Sequence, residues 1–441
     1  MKKRILTGVL GLLAVVVLAA AASPMIIGRS VREATMSNLL ELLPPESRSQ
    51  LQITETRFES GWLSSQGELD VRYAAFAGED SLALRVLFDI AHGPLLFTPD
   101  GPQLGLAYAE IVPSFNSAEF NQAIAELPIE LPDVRLDMLA TFDQSLRLGL
   151  SMEPFNVTNA TAQVNFAGMN GSVVTKPDLS AEMQFRMGQL QASQPATQMG
   201  FTLAGLSLQS TTQQMNDLLA PSMAMLAIPA ISSEAPYPFS VSNIGIDASV
   251  QPSAAGPQRV DIRQGFRVGI IDADVPVTSA SLSFELNELH TDLIRGYYDM
   301  MAELQTAMSG SAQPGTDAIE EHAEEIAMLA IQNSMVIKYL IGANAYEGDH
   351  TLDLHFDWRG MPGVTDLESI EAMDILEVFS FDVKLSMDEA AVMRTPLADM
   401  VDPYVQQGYL RIENGRIMMD MSLRDAALTV NDETVPLEQF L

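Results

Sequence analysis

Leu352-Asp353-Leu354-His355-Phe356-Asp357-Trp358 (LDLHFDW) places an apolar residue at every second position and a polar one between. A strand sends such residues to two opposite faces, one for a core and one for water. A strand of a parallel sheet is buried on both faces and reads as an unbroken apolar run, so strict alternation marks antiparallel sheet. The pattern recurs along the chain. It runs through Leu69, Val71 and Tyr73; Leu82, Leu84, Val86, Phe88 and Ile90; and Val134, Leu136, Met138, Ala140 and Phe142. Leu146 to Met152, Met183 to Met187 and Ile417 to Leu423 repeat it. Loops rich in Pro, Gly and Ser separate the runs, as at 98–102, 233–239 and 309–316.

Helical spacing interrupts this pattern. Candidates lie at 30–43, 116–127, 211–227 and 388–407, with a stronger pair at 286–308 and 317–342. In the last, Ile319, His322, Ile326, Leu329, Asn333, Val336 and Leu340 recur at steps of three and four, and Asp317 with Glu320 has capping-box spacing. The expected architecture is α+β: an N-terminal transmembrane helix, then a long twisted, mainly antiparallel β-sheet with several helices packed on its apolar face. Its parts are a membrane anchor at 1–29 and an exported body at 30–441. The body divides into a strand-rich part at 50–285, a helical pair at 286–342 and a second strand-rich part at 348–441.

The N-terminus reads as an address. Lys2-Lys3-Arg4 precedes an uncharged run from Ile5 to Ala22, and Met25-Ile26-Ile27 extend it to about the 20 residues a bilayer span needs. The basic flank predicts a cytoplasmic N-terminus and an exported body, tethered to the inner membrane through residues 5–27. A cleaved signal peptide ending among Ala19–Ala22 is the competing reading. The formal net charge of -33 repels phosphate backbones, which excludes nucleic acid as a partner. The absence of cysteine removes thiolate nucleophiles, disulfides and Cys-ligated metal. Lysine is scarce, and arginine supplies most of the cations.

His92, in Ile90-Ala91-His92-Gly93-Pro94, ends a strand pattern where enzymes often place a base, and it is the candidate for a hydrolase. Gly93 and Pro94 favour a sheet corner instead, because proline has no amide to continue the ladder. His350 and His355 lie five apart in a strand pattern, hence on opposite faces, which does not suit one metal ion. Glu321 and Glu325 share a helix face, but His322 lies beside it, and acids in a first turn favour the helix dipole. Asp349 with Asp353 and Asp420 with Asp425 read as solvated faces rather than a glycosidase dyad. No G-x-S-x-G, H-E-x-x-H or phosphate-loop motif occurs, so no catalytic, cofactor or metal residue is assigned.

Three segments together resemble the YdgA-like family of bacterial inner-membrane-anchored periplasmic proteins of unknown function. Gly61-Trp62-Leu63-Ser64-Ser65 after Phe58 is similar to that family's Gly-x-Phe-Ser-Ser segment. His92-Gly93-Pro94 resembles its His-Gly-Pro step. Gly408-Tyr409-Leu410, with Leu428-Thr429-Val430-Asn431, is similar to its closing pattern, with Asp432 in place of the glycine. The resemblance implies an N-terminal anchor and a periplasmic body, with no catalytic residues. The sheet also resembles the grooved sheets of AsmA-type lipid-handling proteins. The function expected is that of a non-enzymatic envelope protein working through its sheet surface on a protein partner. Handling of lipid or another hydrophobic ligand along an apolar groove is the alternative, and homo-oligomerisation is left open.

Overall fold

The computed structural model describes residues 51–60, 64–73, 82–92, 95–99, 101–115, 134–158, 163–194, 197–234, 238–272, 277–309 and 316–436. Two compact units emerge. One comprises Met1–Gln198, Ala204–Ser222 and Met301–Pro314; the other comprises Met199–Leu203, Met223–Met300 and Gly315–Leu441.

The first unit carries β1 (Leu51–Ser60), β2 (Ser64–Tyr73), β3 (Leu82–His92), β4 (Leu95–Thr98), β5 (Gly101–Leu104), β6 (Ala107–Phe115) and β7 (Val134–Ala140). It continues with β8 (Leu146–Met152), β9 (Phe155–Thr158), β10 (Gln163–Phe166), β11 (Met169–Thr175), β12 (Ala181–Met187) and β13 (Leu190–Gln194). After β14 (Met199–Leu203), which belongs to the second unit, comes β15 (Leu206–Thr212). The strands pair antiparallel in the order β1-β2-β3-β6-β7-β8-β11-β12-β15. Register lines up Ile90, Ala109, Met138, Leu148 and Val173 across five strands, and all five are buried. In the next row Phe88 faces Gly67, and its ring occupies the space a Cβ there would take. Close packing of this row is what makes glycine necessary at 67.

The second unit continues with β16 (Ser222–Ser233), β17 (Phe239–Pro252), β18 (Arg259–Val268), β19 (Ile271–Asp272) and β20 (Val277–His290). The helices α1 (Thr291–Ser309), which the first unit claims from Met301 onward, and α2 (Thr316–Gln332) follow, then β21 (Met335–Ala345), β22 (Gly348–Trp358), α3 (Ala372–Val378) and β23 (Phe379–Asp388). The chain then forms α4 (Glu389–Val392), α5 (Ala398–Gln406), β24 (Arg411–Glu413), β25 (Arg416–Arg424), β26 (Ala427–Val430) and β27 (Glu433–Val435). Antiparallel pairing runs β17-β18-β20-β21-β22-β23-β25-β26-β27, with β24 sharing an edge of β25 with β26.

Two-residue turns set the register of four hairpins. Their central pairs are Tyr346-Glu347, Asn414-Gly415, Asp425-Ala426 and Asn431-Asp432, and all eight residues have positive φ. This is the requirement of a type I′ turn, whose twist matches that of the strands. Asn and Asp tolerate the left-handed region, and Ala does not. Ala426, at φ 60, is therefore strained. Ala426→Gly is expected to stabilise the protein by about 1 kcal/mol, read as a higher urea midpoint. An unchanged or lower midpoint would show that this turn stores no strain.

The helices depart from expectation. Among the described residues they are few, and they do not pack in number over the apolar face of a sheet. Among the described residues no helix is long and apolar enough to cross a membrane, and the span expected at 5–27 lies outside those residues, as do the helices expected at 30–43 and 116–127. Residues 211–227 form the end of β15, turns and the start of β16 rather than a helix. Pro221 stands at that strand's entrance, and Met223 and Met225 alternate with residues that are less exposed. The helix expected to reach 342 stops at Gln332. Trp358 Nε1 donates to the carbonyls of Ala330 (3.0 Å) and Ile331 (3.2 Å), and Met361 N donates to Ile331 (2.8 Å). These tertiary donors satisfy the last turn, so Val336 to Leu340 are free to continue as strand.

Candidate functional site

The two faces of the second unit's sheet differ sharply. One row of side chains reads Val250, Ile262, Leu286, Ile337, Phe356, Phe381, Leu423 and Leu428. The next reads Ala248, Gln264, Phe284, Tyr339, Leu354, Val383, Met421 and Val430. A third reads Ile246, Phe266, Leu282, Ile341, Leu352, Leu385 and Met419. Period-two alternation puts all three rows on one face. No charged residue interrupts them.

Among the described residues, helices are seen to pack only at the margins of this face. Val392 of α4 and Val401 of α5 bury Ile417 together with Met387 and Leu410. The C-terminal end of α2 sits at Trp358, beyond the first row. Between these margins the third row stays open: Ile246 is 42% exposed, Phe266 42%, Leu282 38% and Ile341 40%. Phe284, Tyr339, Leu354 and Val383 are half-buried. Large apolar side chains that remain this accessible make this face a candidate interaction surface.

His92 lies elsewhere, at the end of β3 in the first unit. Pairing of β2 with β3 sets Ser64 opposite Ala91 and Ser65 opposite Ile90, so two of the segments that carry the family resemblance meet in one hairpin. Ser65 is buried on the core face with Ile90, and His92, two residues on, shares that face. Ser65 Oγ and His92 Nε2 are buried, and each lacks a hydrogen-bond partner among the described residues. Among the described residues no nucleophile–base bond joins them, and no carboxylate hydrogen-bonds the imidazole.

Burial holds the His92 imidazole below the ordinary histidine range, by desolvation of its charged form. A histidine depressed in the folded state takes its proton more readily when unfolded. Stability is then complete above about pH 6.5 and is lost as pH falls from there towards the folded value. His92→Gln is expected to flatten this part of the pH dependence. Urea midpoints measured from pH 7.5 to 5 test it, and identical slopes for wild type and variant would contradict it.

The other sequence candidates are dispersed. His350 Nε2 lies 3.2 Å from the Ala345 carbonyl, while His355 points to the opposite, polar face. Among the described residues no three His, Asp or Glu side chains gather as a metal site. Glu321 and His322 belong to α2, where side chains are described only from residue 323. Asp349 accepts from Asn344 Nδ2 (2.7 Å), Asp353 faces Lys384 across the ladder, and Asp425 sits in a hairpin turn. The closing segments have a structural role. Asn431 Nδ2 donates to the Gly408 (2.8 Å) and Tyr409 (3.1 Å) carbonyls, and its Oδ1 accepts from Asp420 N (3.0 Å). One side chain thus ties the Gly-Tyr-Leu and Leu-Thr-Val-Asn segments together.

Sequence reasoning missed the open rows of β17, β18, β20 and β21. Their alternation, as in Leu282, Phe284 and Leu286, was the available signal. Neither a curated protein nor a solved structure matches the chain. The family model described as "Bacterial protein of unknown function (DUF945)" matches residues 1–438. With nearly its full length covered, the chain belongs to this bacterial family of unknown function.

Proposed function

We propose that the protein is non-enzymatic and holds an elongated apolar ligand, such as an acyl chain, along the open apolar face of its second unit. The supporting observation is the continuous uncharged strip across β17 to β26. At about 4.8 Å per strand, eight strands span roughly 34 Å, enough for an extended hydrocarbon chain. A burial gain of about 0.8 kcal/mol per methylene makes even partial occupancy favourable. A protein partner was the leading expectation from the sequence. The strip turns the balance, because it lacks the charged groups that fix register at protein interfaces. Its aliphatic and methionine side chains repack readily around flexible chains.

The N-terminal Lys2-Lys3-Arg4 and the apolar run that follows favour an exported setting in the cell envelope, near a source of such chains. The resemblance to YdgA-like envelope proteins favours the same address. Lipid extraction and mass spectrometry of the protein gently purified from cells tests the reading. Stoichiometric acyl lipid is the expected result, and none would overturn it.

A further inference from the structure

The opposite face of the same sheet is polar, and its charges follow the register. One row runs Arg263, Glu285, Lys338, His355, Asp382 and Ser422. The adjacent row runs Ser283, Leu340, Asp353, Lys384 and Asp420. Where the two cross the middle of the sheet, Lys338, Asp353, His355, Asp382, Lys384 and Arg424 line a hollow of about 260 Å³.

Two features distinguish this hollow from an ordinary ladder of cross-strand ion pairs. The first is composition. The chain has only five lysines, and Lys2 and Lys3 lie at its extreme N-terminus. Of the other three, Lys338 and Lys384 share this hollow, and only Lys176 lies elsewhere. The second is pairing. Arg424 and Asp382 satisfy each other, with Nη2 at 3.0 Å and 2.9 Å from the two carboxylate oxygens. Arg263 engages Glu285 at 3.7 Å. Neither lysine forms an ion pair among the described residues, although Lys384 has Asp353 and Asp420 opposite it in register. Once Arg424 and Asp382 cancel, the two unpaired ammoniums remain beside the Asp353 and Asp420 carboxylates, with the His355 imidazole between the strands.

We propose that this hollow binds a small anionic group of the phosphate or carboxylate class, held between the Lys338 and Lys384 ammoniums. Arg424 uses only Nη2 on Asp382, so its remaining N–H groups are free to donate to the same anion. Asp353 accepts hydrogen bonds from hydroxyls attached to it. The site does not depend on the apolar-face reading, because it lies on the other side of the sheet.

The test uses the full-length protein with inorganic phosphate and, separately, citrate, each balanced by sodium chloride to constant ionic strength. Thermal unfolding is expected to show a saturable rise in midpoint with one or both anions, and the stronger response identifies the class. Lys338→Gln with Lys384→Gln should weaken binding about tenfold per lysine, while Lys176→Gln leaves it unchanged. Calorimetric titration of the same variants at low temperature reads binding directly should the double variant unfold early. No saturable response to either anion, or an equal response in the double variant, would overturn the proposal. So would a double variant that loses stability while the wild type ignores both anions, since the lysines would then serve the ladder alone.

Discussion

Arg259→Ala is expected to lower the unfolding free energy by about 3 kcal/mol, the largest loss foreseen for any polar side chain described. The Arg259 guanidinium donates to the Glu288 carbonyl (2.7 Å) and to the Ser334 carbonyl and hydroxyl (both 2.9 Å). Asn333 Oδ1 lies within 3.4 Å of the same group. These acceptors come from the end of β20 and from the link between α2 and β21, segments far apart in sequence. Glu288 adopts positive φ (60°) beside a break in the β18–β20 register, and its amide is held by Asp261 Oδ1 at 2.9 Å. Alanine would leave partly buried carbonyls without donors and this strained residue without support. Lysine should recover only part of the loss, because a single ammonium does not present the planar fork that reaches several acceptors. Urea unfolding reads the effect as a lower midpoint at unchanged slope. A loss below 1 kcal/mol would mean that water replaces the guanidinium at little cost.

Phe266→Glu combined with Ile341→Glu is expected to reduce co-purified acyl lipid to background while leaving the fold intact. Both side chains are already about 40% exposed, at 42% and 40%, so the carboxylates can reach water in the free protein. A bound hydrocarbon chain would strip that water away, and burying an unpaired charge costs several kcal/mol. Affinity should fall by at least a hundredfold. Far-UV circular dichroism and the urea midpoint report whether the sheet survives. Equal lipid recovery from wild type and folded variant would place the ligand elsewhere.

Much of the sheet was legible in the sequence. Period-two patterning is a local property of the chain, and it located β3, β7, β8, β12, β22 and β25 without reference to any partner strand. The opposite facing of His350 and His355 followed from the same period. The turn at Asn431-Asp432 was also legible, because both residue types tolerate the left-handed region that a type I′ hairpin demands. Helix ends were not. The stripe from Ile319 to Leu340 continues in sequence through a point where Trp358, 27 and 28 residues away, caps the helix. Nothing within the stripe announces that cap. The run at 211–227 misled for the opposite reason, since short apolar segments satisfy both periods and only strand pairing arbitrates.

The sequence by itself determined the antiparallel class, the strongly acidic charge balance and the absence of a recognisable catalytic motif. These depend on composition and on near neighbours along the chain. Which faces remain uncovered, and which side chains from separate strands become neighbours, was decided only by the tertiary structure. Lys338 and Lys384 lie 46 positions apart, and they line one hollow because β22 separates β21 from β23 in register. Phe266 and Ile341 are open because, among the described residues, the helices pack at the margins of the sheet. Both outcomes are long-range, set by cross-strand register and by where α2, α4 and α5 end, and no local pattern encodes them.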